Sequence, residues 1–168
     1  TPPTMIHLPL LLNPDGSKMS KRKSDSGQQI DVSVEEYKKR GFLPQALINY
    51  LALLGWNPGT DREIFTLPEL VDAFSLDRLQ KAGATFDLDK LVWFNKQHLR
   101  LLPLPSLAAL VKPLLTEAGL PLPSDETLET IVGLMRERID FHQEIPTSAA
   151  YFFREPQTYD ELAVQKNW

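Results

Sequence analysis

Gly41-Phe42-Leu43-Pro44-Gln45-Ala46-Leu47-Ile48-Asn49-Tyr50-Leu51-Ala52-Leu53-Leu54-Gly55-Trp56 is the stretch that decides the fold class. Proline lacks the amide hydrogen that the first turn of a helix leaves unbonded in any case, so Pro44 is placed to begin a helix. Ala46, Leu47, Tyr50, Leu51 and Leu54 then recur at helical spacing, and Gly55 stops the run. The helix is apolar on nearly every side, the pattern of an element with neighbours all round, so it is expected to be central.

Working outward toward the N-terminus, Ser33 caps a helix over about residues 34–40, with Glu35 and Glu36 in its first turn and Gly41 as its stop after Lys38-Lys39-Arg40. Before it, the apolar run Ile6 to Leu12 meets the turn-forming Asn13-Pro14-Asp15-Gly16 and then a cluster of Lys, Ser and Gly, which predicts a short strand feeding a polar loop. Toward the C-terminus, Thr66, Pro68 and Glu69 open a helix through about Phe74, and Leu76 to Ala82 reads as a short further one. Asp87 caps a helix whose apolar stripe is Leu88, Leu91, Val92, Phe94, Asn95, Leu99 and Leu102. Ser106 and Ser124 cap two more, carrying Leu107, Leu110, Val111 and Leu114, and Leu128, Ile131, Val132 and Met135. The proline-rich passages Leu102 to Ser106 and Leu120 to Ser124 are connectors, the first the expected domain boundary. No useful alternating run follows residue 32. The fold class is therefore mainly α, in three parts: residues 1–32, 33–102 and 103–168.

A chain of 168 residues with 42% hydrophobic and 24% charged side chains has ordinary globular composition. It has no cysteine, which excludes disulfides, a thiolate nucleophile and a Cys-type zinc site, and its histidines, His7, His98 and His142, are too scattered to suggest a metal. The apolar runs are too short to cross a bilayer and no leader opens the chain, so a soluble, intracellular protein is expected, with both ends reading as cuts through a longer polypeptide. The net charge of −4 is uneven: residues 1–40 hold seven Lys/Arg against five Asp/Glu, residues 41–168 eleven against seventeen. A polynucleotide partner would have to be gripped by discrete basic patches on an acidic body.

The segment richest in chemistry is Lys18-Met19-Ser20-Lys21-Arg22. Two ammonium groups three residues apart on a loop, with Ser20 and backbone amides beside them, suit a triphosphate. Cations poised at a departing pyrophosphate stabilise the charge that grows in the transition state of an acyl-adenylation, and a loop can close on it. The same composition also occurs in solvated loops, localisation signals and nonspecific nucleic-acid patches.

This pentapeptide resembles the KMSKS-type signature of class I aminoacyl-tRNA synthetases, in the form ending in Arg that is similar to the glutamyl subgroup. The stretch 41–56 resembles the helix that follows the signature in bacterial-type glutamyl-tRNA synthetases, as do Asp61-Arg62-Glu63-Ile64-Phe65-Thr66 and the block Phe86 to Asn95 in their turn. Tyr151-Phe152-Phe153 is similar to a further landmark of that family. The blocks lie in family order over nearly the whole chain. One departure is Asp25 to Asp31, which looks like a small insertion after the signature.

The resemblance implies the edge of the catalytic domain with its signature loop over 1–32, a helical stem-contact domain over 33–102, and part of an α-helical anticodon-binding domain over 103–168. It implies a glutamate–tRNA ligase, inactive as this chain alone, in which Lys18, Ser20 and Lys21 are catalytic and bind ATP with Met19 and Arg22. Magnesium would accompany ATP on ligands outside these residues, without zinc. L-Glutamate and the HIGH-type motif likewise belong to residues not in this chain. Lys90, Trp93, Asn95 and Lys96 are the implied contacts with glutamate tRNA: cations for phosphate, an amide for base or sugar edges, and an indole for packing or stacking. Trp93 stands beside an apolar stripe, where a large aromatic ordinarily belongs to the core, and Lys90 and Lys96 also read as a solvated helix face. Arg138 is implied to read the third anticodon base, cytosine, whose O2 and N3 accept from a guanidinium; near a helix end, Arg136 and Arg138 also complement its negative pole. A monomer in the cytoplasm or an organelle matrix is expected. Two alternatives stay open: a noncatalytic helical RNA-binding or scaffold module, and a relaxed glutamyl enzyme that also charges glutamine tRNA.

Overall fold

The computed structural model describes residues 2–20, 33–154 and 165–166, which divide into two compact units, 1–101 and 102–168. In the first unit a strand, β1 (Leu11–Leu12), leads into the turn at Asn13 to Gly16. The turn closes with the Gly16 N–H on the Asn13 carbonyl (2.9 Å) and the Asn13 N–H on the Ser17 carbonyl (2.7 Å), and the chain doubles back so that Lys18 bridges Leu12 antiparallel. On its other side β1 pairs in parallel with β2 (Ala84–Thr85), in the register Leu11 to Ala84 and Leu12 to Thr85.

The helix α1 (Val34–Lys39) ends as the sequence predicts. Gly41 takes a φ of +85°, its N–H bonds the Lys38 carbonyl (3.0 Å), and the Phe42 N–H bonds the Tyr37 carbonyl (3.0 Å). This double closure needs a left-handed residue and is secured by an apolar contact across it, here the Tyr37 and Phe42 rings, edge to face at 5.6 Å. Ser33 does occupy the N-cap, but its hydroxyl donates to the Glu35 carboxylate (2.7 Å) instead of accepting a backbone N–H.

Helix α2 (Pro44–Gly55) begins on the predicted proline and packs against α4 (Leu88–Leu101). Between them lie Ala46, Leu47, Tyr50, Phe86, Leu91, Phe94 and Leu99, all buried. Polar groups tie this core in place. The Asn95 amide oxygen accepts the Leu43 N–H at the start of α2 (2.8 Å), and the Tyr50 hydroxyl donates to the Asp87 carbonyl (2.9 Å) while accepting the Asp87 N–H (2.7 Å). Helix α3 (Leu67–Ala73) is opened by the expected reciprocal cap between Thr66 and Glu69, and a satellite core of Trp56, Phe65 and Leu70 joins it to the end of α2.

Two expectations for this unit fail. Leu76 to Ala82 is not a helix: a single 3₁₀ turn at Leu76–Arg78 gives way to extended chain, where Leu79 bridges Trp56 and the Gln80 N–H bonds the Gly55 carbonyl (2.9 Å). Burying the apolar side of Leu79 on the Trp56 cluster outweighs continuing a helix toward Ala84, where β2 starts. The body after residue 32 is also not purely helical, because β2 completes the two-stranded sheet.

The second unit is built on α5 (Leu104–Glu117) packed against α6 (Asp125–Met135), with Leu107, Val111, Leu115, Leu128, Val132 and Ile139 buried in its core. Gly119 (φ +66°) closes α5 by the same double bond pattern, the Leu120 N–H on the Leu115 carbonyl at 2.9 Å. Ser124 caps α6 by accepting the Thr127 N–H (3.3 Å), as expected. Ser106 caps nothing: α5 starts two residues earlier, because the first turn leaves its amides unbonded and so accommodates Pro105 without loss. Beyond α6 come a 3₁₀ turn at His142–Glu144, the short α7 (Ile145–Ser148) and a 3₁₀ turn at Ala150–Phe152. Among the described residues no single helix is long and apolar enough to cross a membrane.

Candidate functional site

The hairpin of residues 11–19 delivers the basic segment from a fixed base. The Met19 N–H bonds the Leu11 carbonyl (3.0 Å), the Asn13 side chain donates to the Ser17 hydroxyl (2.9 Å), and the Asp15 carboxylate accepts the Ser17 N–H (2.9 Å). Bonds from Ser17 hold the Asp15 carboxyl below its ordinary range. Lys18 is thus anchored through its backbone to β1 while its side chain is exposed. Lys18 and Met19 border a pocket of about 300 Å³, walled otherwise by apolar groups of Leu10, Leu11, Val34, Tyr37, Leu47, Leu51 and Phe86. Ser20 is exposed. Lys21, Arg22 and the insertion at 25–31 lie outside the described residues.

Helix α4 sorts its predicted contacts by helical angle. Leu91, Asn95, His98 and Leu99 turn inward, which leaves Lys90, Trp93 and Lys96 on the opposite arc. Trp93, implied as a tRNA contact although its place beside an apolar stripe also suited the core, is 40% exposed, with its edge against Phe94 at 5.1 Å. Asn95 is the correction in the other sense: it is wholly buried, its amide oxygen is spent on the Leu43 N–H, and it cannot reach a nucleic acid. The Lys90 ammonium sits 2.5 Å from the Glu63 carboxylate at the edge of a polar pocket of about 320 Å³ that also includes Trp56, Asn57, Asp61, Arg62 and Gln80. Arg62 pairs with Glu69 and lies over the Phe65 ring at 4.4 Å, and that pairing together with the Thr66 bonds brings the Glu69 carboxyl down to about 2. Lys96 is half-buried.

In the second unit Arg138 is exposed in the turn that follows α6, its N–H bonded to the Met135 carbonyl (2.8 Å), so it stands past the helix end rather than in its last turn. The Tyr151-Phe152-Phe153 block, named above only as a landmark, is tied to the end of α6. The Tyr151 hydroxyl donates to the Met135 sulfur (3.7 Å), and Tyr151 and Phe152 form an exposed ring pair with centroids 4.5 Å apart. The available signal was three consecutive aromatics, Tyr151 to Phe153, followed by Arg154 in an acidic unit. Among the described residues no group of three or more His, Asp or Glu side chains could hold a metal ion.

Comparison with known proteins matches the family described as class I tRNA synthetases (E and Q), catalytic domain, over residues 1–93, and the family described as anticodon binding domain over residues 106–168. Curated relatives include the glutamate–tRNA ligases of Chlorobaculum parvum, 45% identical over 99% of this chain and 34% of that protein, and Prosthecochloris aestuarii, 46% identical with the same shares. A solved glutamate tRNA ligase from Elizabethkingia meningosepticum, in complex with its amino acid, superposes with a TM-score of 0.81 at 35% identity, covering 96% of this chain and 34% of that one. The glutamate–tRNA synthetase of Elizabethkingia anophelis does so with a TM-score of 0.80 at 34% identity, over 99% of this chain and 36% of that one. The chain thus spans about a third of the length of the curated relatives it matches. With the catalytic-domain match running from the basic hairpin into α4 and the anticodon-domain match over the second unit, the chain belongs to the class I tRNA synthetases of the glutamyl and glutaminyl (E and Q) family.

Proposed function

We propose that the chain works as part of a glutamate–tRNA ligase, supplying the signature loop and the tRNA-binding helices. In that reaction the glutamate carboxylate attacks the α-phosphorus of ATP, pyrophosphate leaves, and the glutamyl group of the adenylate then passes to a hydroxyl of the terminal adenosine of tRNA, releasing AMP. The observation that carries this reading is the hairpin: β1, pinned on one side by β2 and on the other by Lys18, holds Lys18 and Met19 at the start of the basic segment to a fixed base. Lys18 and Lys21, with Ser20 beside them, neutralise the leaving pyrophosphate, and Met19 and Arg22 support the ATP contact. Magnesium enters with ATP as part of the substrate. Glutamate binds to residues outside this chain.

The division 1–32, 33–102 and 103–168 follows from the same reading as catalytic edge, stem-contact domain and anticodon-binding domain. Lys90, Trp93 and Lys96 on the outer arc of α4 meet the tRNA backbone, and Arg138 reads the third anticodon base. The polypeptide acts as a monomer in the cytoplasm or an organelle matrix. Charge supports a discrete grip over a diffuse one, since the chain is acidic overall.

The test is Lys21→Ala in the full polypeptide, followed by glutamate-dependent exchange of pyrophosphate into ATP and by tRNA binding. Loss of one cation at the leaving pyrophosphate should slow exchange by about 100-fold or more with tRNA affinity nearly unchanged. Unchanged exchange with weakened tRNA binding would instead make the loop an electrostatic grip on RNA and the chain a noncatalytic module.

A further inference from the structure

Asn13 is buried, at 9% exposure, while residues 14–18 that follow it round the hairpin are exposed. Asparagine is ordinarily placed in a turn for one of two reasons: it tolerates the left-handed backbone, or its side-chain oxygen accepts the N–H two residues on. Neither applies here. The left-handed position of this turn is taken by Gly16 (φ +81°), and the accepting role by Asp15, whose carboxylate holds the Ser17 N–H (2.9 Å). Asn13 works instead as a donor across the hairpin. Its amide nitrogen donates to the Ser17 hydroxyl (2.9 Å) and, at a longer 3.5 Å, to the Lys18 carbonyl, while its own N–H bonds the Ser17 carbonyl (2.7 Å). The opposite orientation would set the amide oxygen against the Lys18 carbonyl, which can only accept. As it stands, that oxygen is sealed from solvent with no partner among the described residues. A buried acceptor without a donor is unfavourable, and an apolar side chain of similar size would avoid it. Such a side chain could not hold the strand that begins at Lys18.

We propose that Asn13 is a positioning residue for Lys18: its amide fixes the backbone from which the Lys18 ammonium reaches the leaving pyrophosphate. The inference rests on the role given to Lys18 above and adds to it the group that sets its place. The four-carbon stem of a lysine leaves its ammonium many positions, and a cation aids the chemical step only while it stays where charge develops. Holding the main chain on both sides of Lys18, through the Asn13 amide and through the Met19 N–H on the Leu11 carbonyl (3.0 Å), removes part of that freedom. The contribution is made in the transition state, so it belongs to kcat and not to the affinity for ATP.

The test is Asn13→Leu in the full polypeptide, which keeps side-chain volume but removes the donor and the orphan acceptor together. It is read by glutamate-dependent exchange of pyrophosphate into ATP and by the melting temperature. The expected result is kcat lower by about 10- to 100-fold with KM for ATP unchanged, in a protein that melts no earlier than the parent. In a Lys18→Ala background the same substitution should cause no further loss, because the two residues act as one unit. Where the leucine is not accommodated, Asn13→Ala is read in the same way. Full exchange without the Asn13 amide, or a raised KM at constant kcat, overturns the proposal. A loss in the Lys18→Ala background as large as in the parent overturns it too, since Asn13 then supports the hairpin at large. Undiminished exchange by Lys18→Ala alone removes the role of Lys18 itself and the positioning role with it, which tells the two failures apart.

Discussion

Asn49 and Asn95 carry more of the first unit's specificity than any single apolar contact. Asn49 is fully buried; its amide donates to the Glu63 carbonyl (3.0 Å) and its oxygen accepts the Phe65 N–H (2.9 Å). That same oxygen, already accepting the Phe65 N–H, lies 3.0 Å from Nε2 of His98, so Nε2 carries a proton and donates it. Burial holds the His98 imidazole below its ordinary value of 6.5. The unfolded chain takes up a proton more readily than the folded one, so the stability owed to neutral His98 is complete above about pH 6.5 and declines as pH falls toward the folded value. Denaturant titrations of the unmodified chain across that range should show the decline, and His98→Gln should flatten it; an equal slope in both excludes His98 as the cause. Asn95→Ala leaves the Leu43 N–H unsatisfied in the core and should cost about 1–3 kcal/mol in the same assay, with no change in tRNA affinity once the protein is folded. Arg138→Gln acts oppositely, with stability unchanged and discrimination between glutamate and glutamine tRNAs reduced; equal discrimination would remove Arg138 from base reading. The stripe of α4 already held Asn95 beside Leu91 and Leu99 in the sequence, so its burial was legible, but its hydrogen bond to a residue far along the chain was not. For Trp93 the average burial of its residue type pointed to the core, but its position on the arc of α4 opposite Leu91 and Leu99 leaves it exposed.

Elements whose ends are written in local chemistry were predicted closely. Pro44 begins α2, Thr66 and Glu69 cap each other at α3, Ser124 caps α6, and Gly41 closes α1 with the left-handed turn that a side chain would strain. Thr66→Ala removes the acceptor for the Glu69 N–H and should lower stability by about 0.5–2 kcal/mol, read as a shift in the denaturant midpoint at constant slope. A variant as stable as the parent would show the cap to be redundant with the Arg62–Glu69 pair. The misread elements are those decided by distant partners. A two-residue strand such as Ala84–Thr85 has no periodicity to find and exists because β1 is there to pair with it. The segment after Arg78 is extended because Trp56 and Gly55 receive it, which the residues of that segment do not announce.

At the scale of the molecule, the first unit presents a fixed hairpin and an outer helix face, and the second presents the exposed Arg138 and the exposed Tyr151 and Phe152 on an acidic body. Legibility was uneven here too. The Lys18–Arg22 segment pointed to phosphate chemistry from its charges, whereas the contact of Tyr151 with Met135 joins residues far apart in the chain and was not legible. On the proposed function both surfaces serve one ligase, whose activation step and tRNA charging then both require glutamate. The most direct test offers the full polypeptide each amino acid in turn in pyrophosphate exchange, alongside a Lys18→Ala, Lys21→Ala double variant, and follows charging of glutamate tRNA. Exchange and charging with glutamate alone, lost in the double variant, is the predicted result. Exchange with a different amino acid, or glutamate exchange undiminished without the two lysines, would contradict it.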